Sequence, residues 1–520
     1  MTEQRERPIS IAILALGGQG GGVLTQWLVD TAEANGYLAQ STYVAGVAQR
    51  TGATVYCIEM FPASRAAAIG RDPVFTPYPI PGDVDLVVAA EMAETGRALQ
   101  KGFVTPDRTT LVASSHRLYS VIEKSALGSG IIDQLKVAEV AKKASKNFIC
   151  FDMDAAATAS GSIISSVLLG AIAACGALPF DRSAYETSIR NAGSEVDANL
   201  LGFAAGYDGA SKNSPPAFPV SASSDALQIP PAIPAGANGE ALASRIDAEF
   251  PPPVRNVALH GALLALDYQD PAYASRYLDL LNDIRRTDDA NGGGAQGYAL
   301  TTEVARQLAL QMCYEDMIRI GDLKTRRNRF GRVRAHVAAG PQQPVHIVEY
   351  FSPRLEEICD TLPASLGAFI LRSKRMRMLL SPFFRKGRNV KTTTITGFLL
   401  LHTLAKLFRF RRGTYRFSKQ QNLIHDWLER ISAAAGEDYE YAVSIARCIE
   451  IVKGYSDTYE RGLTRYRATV ETVDRSGSTN RADIIRKLHH AALADEKGLQ
   501  FREALASEGH RISIGKEHGF

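Results

Sequence analysis

Hydrophobic positions follow two different periods along this chain, and the change between them divides it. From residue 9 to about residue 208, short apolar runs alternate with helical patterns. Ile9 to Leu16 is β-branched and almost wholly apolar, which is the pattern of a strand buried on both faces. Leu38 to Tyr43, Ala53 to Met60, Val84 to Ala89, Thr110 to Ala113 and Phe148 to Asp152 read as further strands. Ser160 to Ala177, small and apolar, reads as one buried helix. Strands alternating with helices predict an α/β domain over 1–208, a doubly wound, Rossmann-like parallel sheet.

From residue 256 to 520 the period becomes helical and the region reads as mostly α-helical. Leu300 to Arg319, Leu355 to Leu371, Ile395 to Phe408, Gln421 to Ala435, Tyr459 to Val473 and Arg481 to Ala506 are among the expected helices. Between the two regions, 209–255 carries Pro215-Pro216, Pro219, Pro230-Pro231, Pro234 and Pro251-Pro252-Pro253 among serines, a composition that predicts an extended linker. No run of about 18 apolar residues occurs, so no transmembrane helix is expected, and the N-terminus lacks a secretory pattern. The expectation is a cytoplasmic protein.

The six cysteines are far apart and form no CxxC, which excludes the common iron–sulfur and zinc frameworks. The histidines are scattered without HExxH. No metal site and no catalytic residue is expected on this chain. The net charge is only +4 but unevenly placed: no acid lies between Asp360 and Asp426, while fourteen Lys and Arg fall within 372–419, with Phe408, Phe410, Tyr415 and Phe417 interleaved. Such a block serves an anionic partner or is solvated and paired within the chain. The partner could be nucleic acid, an anionic membrane surface, an acidic protein or another subunit. A stand-alone binding module using this half remains the alternative reading.

After the first strand come Gly17-Gly18-Gln19-Gly20-Gly21-Gly22 and then a helix. Glycines permit positive φ and close approach, and a helix start presents free N–H groups to an anion. The turn therefore either holds a phosphate or only connects strand to helix. It is not the dinucleotide fingerprint: the third glycine position is Val23, and no acid occurs between Glu33 and Glu59 to hold a ribose. No Gly-Lys-Ser/Thr follows, so it is not a P-loop. Gln49-Arg50, just past the second strand, leaves the sheet at the same end. Arg50 could face the glycine turn as a phosphate ligand, or pair with Glu91 or Glu94.

Three ordered segments resemble the gamma-type domain of 2-oxoacid:ferredoxin oxidoreductases: Leu16 to Gly22, Tyr43 to Ala53 leading into Thr54 to Met60, and Asp83 to Glu91 with Glu94 beyond. With the added helical region, the chain looks like the long-form beta subunit of indolepyruvate ferredoxin oxidoreductase. The resemblance implies a cofactor-free subunit. Its large alpha partner would carry thiamine diphosphate, magnesium and [4Fe-4S] clusters, arranged as a dimer of heterodimers. The pair would oxidise arylpyruvates with coenzyme A and ferredoxin as co-reactants. Coenzyme A contacts would fall on Gly17, Gly18, Gln19, Gly20, Gly21, Gln49 and Arg50. The family often shows Arg-Gly-Gly or Lys-Lys-Ser-Gly-Gly where this chain has Gln49 to Ala53, one basic residue and one glycine fewer.

Overall fold

The computed structural model describes residues 7–45, 53–119, 123, 128, 130–212, 230–233, 236–337, 339–340, 342–384, 387–477, 480–495 and 497–509. The chain divides into two compact units, Met1–Ser223 and Ser224–Phe520.

The first unit is built on a six-stranded sheet. Its strands are β1 (Ile9–Leu16), β2 (Tyr37–Val44), β3 (Ala53–Pro62), β4 (Leu86–Ala89), β5 (Thr110–Ser114) and β6 (Asn147–Phe151). The order is β2-β3-β1-β4-β5-β6. β1, β4, β5 and β6 are parallel neighbours, as expected of a doubly wound sheet. β3 departs from that expectation and runs antiparallel to both β1 and β2. The connection from Val44 to Ala53 is too short for the crossover that a parallel neighbour requires, so β2 and β3 pair as a hairpin. Alternation along β1 feeds two cores. Ile11, Ile13 and Ala15 pack with Trp27, Leu28 and the helix Ile164–Cys175 on one face. Ala12 and Leu14 pack with Val87, Ala98 and Phe103 on the other.

The second unit buries one large helical core that includes Leu278, Leu308, Trp427, Ile445 and Leu488. Several expected helices are broken at residues that favour caps. The long helix expected at 300–319 ends at Met312, and Asp316 caps a new one by accepting from Arg319 N–H at 2.6 Å. Leu355 to Leu371 breaks before Ala364–Arg372 because Pro363 has no N–H to continue the ladder. Ser160 to Ala177 contains only one helix start, at Ile164, after the left-handed Gly161. Val348–Phe351 and Arg388–Lys391 form a two-stranded antiparallel pair that a purely helical reading misses.

The stretch 209–255 is not extended throughout. Ala237–Glu249 is a helix burying Leu242 and Ile246, four residues apart on one face. Pro252 and Pro253 open the helix Pro252–Tyr268, where a missing N–H has no intrahelical acceptor to lose. Among the described residues no single helix is long and apolar enough to cross a membrane.

Candidate functional site

The turn after β1 leads into α1 (Gly21–Ala34) through Gly20, the helix N-cap, in the left-handed conformation at φ +69°. In an open α/β sheet, ligands sit beyond the carboxyl ends of the strands, where strand order reverses. Here the chain builds from β1 outward to β3 and β2, then crosses back to β4, so the reversal lies at the β1–β4 junction. Ala53 pairs with Leu16, which returns the chain beside the residue that opens the glycine turn. Gln49 and Arg50, expected to face that turn, lie outside the described residues.

The other expected residues have definite roles. Gln19 is buried: its Oε1 accepts from Leu16 N–H at 2.8 Å, and its Nε2 lies 3.3 Å from His116 Nε2. A Cβ on Gly20 would sit 2.0 Å from Ser165 Oγ, and one on Gly21 would sit 2.5 Å from the Tyr56 ring. Ser165 Oγ donates to Gly20 C=O at 2.9 Å. The close approaches that Gly20 and Gly21 permit are therefore made by the chain itself. The Tyr56 hydroxyl also lies against Gly22, 3.8 Å from where a Cβ would stand. Gly18, exposed and at φ +95°, faces open space, with half-buried Gly17 beside it.

Behind the turn lies a buried polar cluster that the sequence reading only touched at Glu91 and Glu94. Glu91, at the end of β4, caps α3 (Met92–Gln100) by accepting from Glu94 N–H at 3.0 Å. It is fully buried and paired with Arg117 at 2.5 Å, and Arg117 also reaches Glu123. Glu94 pairs with Arg97, whose guanidinium donates to Thr54 C=O at 3.3 Å, at the start of β3. The two carboxylates that could have held Arg50 thus already have arginine partners. Burial raises the Glu91 carboxyl against the pull of Arg117. It pushes Glu94 up to about 7, with Arg97 opposing and Glu91 adding to the rise.

His116 completes the cluster. Ser114 Oγ lies 2.8 Å from His116 Nδ1 and accepts from Met153 N–H at 3.0 Å. Because Gln19 Oε1 is taken by Leu16, the Gln19 amide donates to His116 Nε2, which puts the ring proton on Nδ1. Burial holds this imidazole below its usual pKa, against the opposing charges of Asp154 and Asp152, so the neutral ring fits the network. Among the described residues, Thr95 Oγ1, Ser115 Oγ and the Nε atoms of Arg97 and Arg117 find no partner. The arrangement is charge-compensated and inward-facing. It shapes the carboxyl ends of β1, β4 and β5. The Ser114-Ser115-His116-Arg117 run at the end of β5 is the feature that could have signalled it, and the sequence reading passed over it. Burial also raises the thiols of Cys57 and Cys150, to about 11 and about 12, which leaves them unreactive. Among the described residues no group of three or more His, Cys, Asp or Glu is placed to hold a metal ion.

The basic block resolves into two populations. Arg411 is buried, paired with Asp316 at 2.8 Å and set over the Tyr268 ring at 4.1 Å. Arg412 pairs with Asp270 and Lys419 with Glu460. Arg372, Lys374, Arg375 and Arg409 are exposed, as is Phe410, whereas Phe417 is in the core. Arg385 and Lys386 lie outside the described residues.

Comparison with known proteins divides the chain in the same place. Residues 10–209 match the family described as pyruvate ferredoxin/flavodoxin oxidoreductase, and 254–472 match DUF6537, a family of unknown function. Among solved structures, the pyruvate oxidoreductase subunit PORC of Thermotoga maritima is similar at 16% identity and a TM-score of 0.27, covering 39% of this chain and 97% of its own. The keto/oxoacid ferredoxin oxidoreductase gamma subunit of Geobacter sulfurreducens is similar at 16% identity and a TM-score of 0.26, covering 39% and 98%. No curated protein sequence matches the chain.

Proposed function

We propose that this chain is a cofactor-free subunit of a 2-oxoacid:ferredoxin oxidoreductase that accepts arylpyruvates. The reading is carried by the match of residues 10–209 to the pyruvate ferredoxin/flavodoxin oxidoreductase family. Its resemblance to the long-form indolepyruvate beta subunit supplies the aryl specificity. Thiamine diphosphate, magnesium and the iron–sulfur clusters belong to a large alpha subunit, with ferredoxin as electron acceptor and the assembly a dimer of heterodimers. The domain division that goes with it is 1–208 and a helical domain over 256–520, with the linker expected over 209–255 shortened by the helix Ala237–Glu249, which packs into the helical core.

Coenzyme A fits only part of the expected residue set. Gln19, Gly20 and Gly21 are engaged by Leu16, His116, Ser165 and Tyr56. They brace the turn. Gly17 and Gly18 on the open side, with Gln49 and Arg50, would hold a phosphate of coenzyme A, and Arg50 would supply a bidentate fork.

The experiment is co-expression with a large subunit bearing thiamine and iron–sulfur motifs, followed by viologen or ferredoxin reduction with indolepyruvate, phenylpyruvate and pyruvate. The assembled pair is expected to oxidise the aryl acids in preference. In the same complex, Arg50→Ala should raise the coenzyme A requirement about ten- to a hundredfold, the loss of one charge-assisted contact of roughly 1.5–3 kcal/mol. An intact complex that oxidises no 2-oxoacid overturns the reading. Unchanged coenzyme A dependence in Arg50→Ala removes the arginine from the site.

A further inference from the structure

The second unit contains a cavity of about 790 Å³, within the size range of small-molecule sites. Its apolar wall includes Ile320, Leu323, Phe351, Leu371, Tyr415 and Tyr455. Arg416, in the first turn of the helix Tyr415–Ala435, reaches into it. This arginine is only 5% exposed. Its guanidinium lies 3.4 Å from the centre of the Tyr459 ring and 5.2 Å from that of Tyr314. Among the described residues it has no hydrogen-bond acceptor and no ion-pair partner.

That state is chemically incomplete. A guanidinium stays charged at any working pH, and here its N–H groups open to the cavity with no acceptor among the described residues. Aromatic faces compensate the plane of the guanidinium and leave its N–H edges without an acceptor. The other lining cations are accounted for: Lys419 pairs with Glu460, Lys324 with Glu349, Arg354 with Asp457 and Arg319 with Asp267. Among the described lining residues, Arg416 is therefore the cation left for a ligand. Asp360 stands on the same wall. Burial pushes its carboxyl up to about 6, against Arg416 and Lys419 and with Glu460 and Glu357 adding to the rise.

We propose that this cavity binds a small monocarboxylate with an apolar body, its carboxylate held by the N–H edge of Arg416. A planar, two-oxygen acceptor matches the guanidinium fork. A single charge opposes the one unpaired cation, whereas a phosphate dianion would put a second negative charge among Glu315, Glu357 and Asp360, which line the same cavity. The apolar wall takes the body of the acid. The site lies wholly in the helical unit and does not depend on the role proposed for residues 10–209.

The test uses the full-length chain and titration calorimetry with phenylacetate, octanoate, the neutral isostere phenylacetamide and inorganic phosphate. Saturable binding of a carboxylate is expected, with phenylacetamide weaker than phenylacetate by about tenfold or more. Arg416→Met, which keeps an unbranched apolar side chain and removes the guanidinium, should lower phenylacetate affinity by about tenfold or more and leave phenylacetamide unchanged. Leu323→Trp, on the partly exposed rim, narrows the cavity and should weaken binding of both; together with the wild-type probe comparison it decides the matter if Arg416→Met does not fold. Equal binding of acid and amide, no saturable carboxylate binding into the tens of millimolar, or phosphate displacing the carboxylate each overturns the proposal.

Discussion

Glu94 is 3% exposed, carries an ordinary side chain and titrates abnormally because of where it is buried. Its carboxyl is raised from 4.5 to about 7, so between these values the folded chain holds the proton more tightly than the unfolded chain does. Stability then falls as pH rises through this window and levels off above it. Glu94→Gln keeps an acceptor for Arg97 and removes the titration. Relative to wild type, the variant should gain stability between pH 5 and pH 8 by up to about 3 kcal/mol. Urea denaturation followed by Trp27 fluorescence in a Trp427→Phe background reads this in the first unit. A difference that does not change with pH would mean that the carboxyl ionises normally.

At the scale of elements, the strand–turn–helix of β1 and α1 is held by a partner distant in sequence. Gly20 is left-handed and touches Ser165 of the helix Ile164–Cys175. Gly20→Ala should destabilise by roughly 1–2 kcal/mol for the left-handed backbone, plus the collision with Ser165. Ser165→Gly in that background should recover the collision part, a coupling of about 1 kcal/mol in a double-mutant cycle. Additive effects would show that the helix does not fill the space behind the turn. Cap residues decide the element ends in the same local way. Asp316, Pro363 and Gly161 each interrupt an apolar pattern that periodicity alone carries through. The break signals are legible in the sequence, but a window of apolar residues outweighs a single polar one unless its side chain is known to accept from the next turn.

For the whole molecule, the uneven charge matters most where it stays exposed. Arg377 and Glu356 approach at 3.4 Å on the surface, a contact worth little in water. Arg372, Lys374 and Arg375 are exposed beside Phe369 and Met378, which are 62% and 77% exposed. Basic and apolar residues displayed together suit an acidic, partly apolar partner surface. Replacing these three cations with Glu should weaken assembly with the large subunit, more at 20–50 mM salt than at higher ionic strength, because screening shortens the reach of surface charge. Equal assembly at all salt concentrations, measured by analytical ultracentrifugation, would make this face a solvated surface.

The sequence by itself determined whatever depends on near neighbours: the apolar strand Ile9–Leu16, the glycine turn, the helical period of the second unit and the absence of cysteine frameworks. Only the tertiary structure decided what each polar group meets. Gln19 finds His116 from 97 positions away, and Arg411 finds Asp316 from 95 positions away. The antiparallel seat of β3 and the unpaired Arg416 are decided at the same level. The physical reason is range. Periodicity and capping act within a few residues, whereas the pairing of buried charges and the direction of a strand depend on the path of the chain through space.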